Sequence, residues 1–163
     1  MKPPVRSLAD LLRNWEGITM EAPENSFAEA LHEAHTDLLR DLQELEKAVS
    51  SESREGPAEL GARLGKVRTH LTNHFRFEEE GGYMAPVLKE EPRFDRLIQE
   101  LLAEHSQMAQ ALDTLIQEVN RAQSLQAIPR ERVRTWVGQV RHHEIRENNL
   151  VQEAYYSSGA TGD

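Results

Sequence analysis

Residues 64–80 read LGKVRTHLTNHFRFEEE, and in them Leu64, Val67, Leu71, His74 and Glu78 follow at intervals of three, four, three and four. That spacing places all five side chains on one face of an α-helix. The line runs back to Leu60, so His74 and Glu78 extend a core-facing stripe. Three other stretches carry the same kind of line. One holds Phe27, Leu31, His35, Leu38, Leu42, Leu45 and Val49; another holds Phe94, Ile98, Leu101, His105, Met108, Leu112, Ile116 and Val119. The last holds Trp136, Val140, His143, Glu147, Leu150 and Ala154. Each of the four lines contains one histidine, and two of them add a glutamate one turn later.

Helix-breaking residues separate these stretches. Ser26, with Glu29 three residues on, has the form of an N-terminal capping box for a first helix to about Val49, where SSESREGP interrupts. Pro57 suits the first turn of a second helix that runs to about Glu79, where Gly81 and Gly82 loosen it before a short continuation. The third spans about Pro92 to Arg121, and the fourth runs from Pro129 to about Tyr156. Connections this short favour antiparallel neighbours, so the reading predicts an all-α, up-down-up-down four-helix bundle over residues 25–157. Residues 1–24, with the amphipathic set Leu8, Leu11, Leu12 and Trp15, are expected to pack on it as an arm, and 158–163 to form a disordered tail.

Composition narrows the chemistry. At 163 residues and 38% hydrophobic, the chain is sized for one core. It contains no cysteine, which excludes disulfides, thiolate metal sites, iron–sulfur clusters and cysteine nucleophiles. A net charge of −9, with basic residues scattered among acids, argues against nucleic acid as a partner. No stretch approaches the roughly 20 apolar residues of a membrane span, and the N-terminus lacks a signal-peptide core, so a soluble, cytoplasmic protein is expected.

Depth agrees with facing. His35 lies about 14 residues before the end of its helix and His74 about 16 after the start of the next, which at about 1.5 Å per residue puts them near one level. His105 and His143 match in the same way across their connection. A dry core containing Glu78 and Glu147, with no cation on the same stripes, costs several kcal/mol per acid unless positive charge neutralises it. A metal ion supplies that charge and accounts for the imidazoles. Nitrogen and oxygen donors without thiolate suit iron, manganese or zinc. Two carboxylates that can bridge and four imidazoles that can cap are proportioned for two ions about 3.5 Å apart. His32, His70 and His142 lie off the inward lines and are assigned to the surface or to the layer behind the ligands; Glu79 and Glu80 are read as a solvated face.

The motifs EALHEAHTDLL around His35, HLTNHFRFEEE around His74 and Glu78, LLAEHSQM around His105 and VRHHEIRENNL around His143 and Glu147 together resemble the hemerythrin-like (HHE cation-binding) family over about residues 26–156. The resemblance implies two non-haem iron ions with an oxo or hydroxo bridge, manganese or zinc being the alternatives. It implies Glu78 and Glu147 as bridging carboxylates, with His35 and His74 capping one iron, and His105 and His143 the other. Oxygen-carrying members have a second histidine one turn after the third-helix one, where this chain has Ala109. That leaves a ligand position open, or filled by water, Glu104 or the N-terminal arm.

Three functions are compatible with this site. A binding protein would take up dioxygen or a related small oxidant for storage, sensing or delivery. A redox enzyme would reduce peroxide or nitric oxide, with Tyr83, Tyr155 or Tyr156 as donors, and a related role is iron handling. A structural bundle would hold zinc without turnover.

Overall fold

A computed structural model describes the backbone of residues 25–80 and 84–159, and side chains over 33–80 and 84–154 apart from Pro86 and Glu90. Among the described residues every regular element is helical. The long helices are α1 (Asn25–Ala48), α2 (Pro57–Glu79), α4 (Asp95–Arg121) and α5 (Arg130–Gly159), and α3 (Met84–Glu90) is a short helix between α2 and α4. The expected arm, Gly81 and Gly82, Tyr83 and residues 160–163 lie outside the described residues, as do the side chains of Phe27, Leu31, His32, Tyr155 and Tyr156.

Local chemistry sets the boundaries. Pro57 opens α2 behind an extended Gly56, where its missing N–H costs nothing because that donor has no intrahelical partner. Pro92 starts a 3₁₀ turn, Pro92–Phe94, so regular α4 begins three residues later than Pro92. Pro129 immediately precedes α5, whose end at Gly159 takes in two residues assigned to the tail. α1 starts at Asn25, one residue ahead of the expected cap Ser26.

α1 packs on α2, α2 on α4, α4 on α5, and α5 back on α1, which closes a helical bundle, while α3 lies against α5. Among the described residues two apolar clusters form its core. The larger contains Leu38, Leu42, Leu64, Leu71, Leu112, Trp136 and Val140. The smaller contains Met84, Val87, Phe94, Ile98, Leu101 and Leu150. The Trp136 indole, 2% exposed, donates from Nε1 to the Met108 carbonyl at 3.0 Å and ties α5 to α4. On α4 the buried position goes to Leu115, with Ile116 only half-buried.

Polar side chains separate the two clusters along α4 and α5 and between α2 and α3. His74 and Glu78 lie between Leu71 and Met84, His105 between Leu101 and Met108, and His143 and Glu147 between Val140 and Leu150. A polar chamber therefore sits between two apolar plugs. No described helix is long and apolar enough to cross a membrane.

Candidate metal centre

All six residues singled out by the helical lines are buried: His35, His74, Glu78, His105, His143 and Glu147 are each at most 3% exposed. They come together. The ring centroids of His35 and His74 are 5.2 Å apart and those of His105 and His143 4.8 Å apart, so each pair meets at one level.

The donors fall into overlapping groups. One ligand atom from each of Glu78, His105, His143 and Glu147 lies within 4.8 Å of the others. His35, His74 and Glu144 form a second such group, and His74, Glu78, Glu144 and Glu147 a third that joins the first two. Glu78 spans the division: its Oε1 is 2.5 Å from His74 Nε2 and its Oε2 is 3.2 Å from His105 Nε2.

Two acids behind the rings fix how His105 and His143 point. His105 Nδ1 donates to Glu79 Oε1 at 2.7 Å, and His143 Nδ1 to Glu104 Oε2, also at 2.7 Å. A carboxylate only accepts, so each neutral ring carries its proton on Nδ1 and turns a bare Nε2 lone pair inward. Those two Nε2 atoms face each other at 3.0 Å, and Glu147 Oε1 lies 3.1 Å from one and 2.9 Å from the other. Electron-rich atoms converging like this in a dry space repel unless a cation or protons sit among them. Phe75 stacks on His105 at 3.8 Å between centroids and presents an edge to His143, which holds both rings in place from the apolar side.

The residues fit a metal ion on three counts. The donors are imidazole nitrogen and carboxylate oxygen, the set favoured by borderline divalent and trivalent cations. The inward lone pairs are already aimed by acids behind them. Among the described residues the buried ionisable groups are all histidines and acids, with no buried lysine or arginine to neutralise Glu78, Glu144 and Glu147.

Glu144 is a residue that the helical lines missed. It is 2% exposed and sits against His35 and His74. Its signal was present in a second ladder on the last helix, since Val137, Val140, Glu144 and Val151 are all buried and lie three, four and seven residues apart. Glu104, considered as a replacement donor for the position of Ala109, instead stands behind His143 and is held by Arg146. Ala109 is half-buried, His142 is exposed, and His70 is half-buried against the buried Asp41. Glu80 is exposed beside Arg76; Glu79 is exposed too, yet it is the partner of His105.

In the metal-free chain, protons take the place of the cation. Burial would lower the pKa of His105, but the hydrogen bonds its ring donates to Glu147 and Glu78 override it and push it up to about 10. Burial would raise Glu147, but His105 and His143 bring it down to about 2. His74 is raised and Glu144 lowered in the same manner, each chiefly through the other's charge working against burial. Glu78 goes the opposite way, pushed up by burial and by the charge of Glu147.

The signs fix a pH window. A raised histidine stabilises the fold fully below its unfolded value of 6.5, and the effect fades as pH climbs through about 10. A lowered glutamate stabilises fully above 4.5, and the effect fades as pH falls through about 2. Both act in full between 4.5 and 6.5. Thermal melts of chelator-treated protein are therefore expected to peak in that interval; a maximum above pH 8 would contradict the assigned pairing.

A family model described as the Hemerythrin HHE cation binding domain matches residues 26–155. No curated protein and no solved structure matches the chain.

Proposed function

The chain belongs to the Hemerythrin HHE cation-binding domain family, and from that premise we propose that the chamber holds two non-haem iron ions that take up dioxygen or a related small oxidant for storage, sensing or delivery. The proposal includes an up-down-up-down course for α1, α2, α4 and α5, which puts one histidine from each at the common level. The observation that carries it is Glu78, whose two oxygens face two different histidine pairs. A single-ion site has no use for a carboxylate turned both ways.

In this reading His35 and His74 hold one ion, and His105 and His143 the other. Glu78 would be shared, and Glu147, grouped with His105 and His143 on one side and with His74 and Glu144 on the other, would be the second bridging acid. An iron pair supplies two one-electron changes and a place for a small ligand. The chain's own part is to orient and to exclude water. Glu79 and Glu104 keep the inner lone pairs aimed, while Phe75 packs on His105 and His143, and the buried Leu71, Leu101 and Met108 stand one helical turn from the histidines. Ala109 contributes no donor, which leaves room for the oxidant beside His105.

Aerobically purified protein is expected to carry about two irons per chain and to absorb in the near-ultraviolet and visible. Colourless protein that takes up zinc but no iron would overturn the proposal. Mixing reduced protein with oxygen, then separately with peroxide, distinguishes uptake from catalytic reduction.

A further inference from the structure

Three acids stand close to the histidines without being part of the six-residue set, and they do not stand there in the same way. Glu79 and Glu104 have side chains 42% and 30% exposed and touch the outer Nδ1 atoms of His105 and His143. Glu144 is 2% exposed, and both its oxygens lie 3.1 Å from His74 Nε2. That same nitrogen is 2.5 Å from Glu78 Oε1. One ring nitrogen thus faces three carboxylate oxygens. It carries at most one proton, which cannot serve two ionised acids well.

Glu144 also reaches the partner ring, with Oε2 3.1 Å from His35 Nδ1. It occupies the point where donors of α1 and α2 meet, and it comes from α5, the helix that sends Glu147 to the other pair. His35 and His74 have Glu144 as an acid of their own, while Glu78 and Glu147 are grouped with donors of both halves.

We infer that Glu144 is a seventh protein donor, a terminal carboxylate on the ion held by His35 and His74; this rests on the two-ion reading above. A third buried carboxylate has a consequence beyond affinity. Negative charge in a dry chamber stabilises the more highly charged, oxidised metal pair more than the reduced pair. Glu144 therefore lowers the reduction potential of the centre and biases it toward its oxidised form.

Zinc titration separates binding from redox chemistry. Wild-type protein is expected to take about two zinc ions per chain, whereas Glu144→Gln keeps one and binds the other more than about 100-fold more weakly, beyond what removing an acid behind a ligand costs. The iron-loaded Gln variant is expected to have a more positive potential than wild type. Glu144→His returns a donor without the charge, so it is expected to regain the second zinc ion but not the wild-type potential. Wild-type zinc affinities and wild-type potential in Glu144→Gln overturn this inference alone. A helical Glu144→His protein that binds only one ion also overturns it. Wild-type protein that takes up neither zinc nor iron overturns the two-ion reading and this inference with it.

Discussion

Glu78→Gln is expected to empty both halves of the centre at once, whereas loss of either histidine pair acts mainly on its own half. The reason is the position of Glu78 between His74 Nε2 and His105 Nε2. At free metal a thousand times above the dissociation constant, one site adds about 4 kcal/mol of stability, so losing two removes about 8 kcal/mol. In a chain of this size that lowers the melting temperature of metal-treated protein by about 15–30 °C. The metal-free proteins should behave differently. Burial and the charge of Glu147 oppose ionisation of Glu78, so an uncharged glutamine relieves a cost when no cation is present. Metal-free Glu78→Gln is expected to melt no lower than metal-free wild type. An equal drop in both forms would show that Glu78 acts through packing alone.

The second large effect is on pH. Burial opposes the His105 cation, but the hydrogen bonds it donates to Glu147 and Glu78 raise its pKa to about 10, so that the ring is a protonated cation at neutral pH in the metal-free chain. An entering metal must displace that proton. Apparent affinity is therefore expected to rise about tenfold per pH unit for each proton released, or about a thousandfold between pH 6.5 and 10. Calorimetric titration in buffers of different ionisation enthalpy measures the released protons directly. Affinity that stays level across this range would place the metal away from His105.

The helical lines were legible because α2 and α4 each bury a narrow strip. From Leu60 to Glu78 and from Phe94 to Val119, nearly every third or fourth residue is core, so a histidine on that beat has only one direction to face. α5 buries a broader face, with His143 beside Glu144 and Leu150 beside Val151. A single line drawn through it captures His143 and Glu147 but leaves Glu144 on what looks like the flank. Glu79 and Glu104 were hidden for a different reason. Their partners lie on other helices, 26 and 39 residues away in the chain, and periodicity within one helix says nothing about reach across an interface. The same limit applies to His70, whose acid, Asp41, comes from α1.

The Trp136 indole sits two helical turns before His143 on the same helix, about 10 Å along the axis at 1.5 Å per residue, and is locked there by the Met108 carbonyl. At that separation a coloured, paramagnetic centre drains the excited state of a rigid indole efficiently. Emission from this tryptophan is therefore expected to dim if iron enters the chamber and to stay bright with zinc, which would make it an optical gauge of loading that needs no added dye.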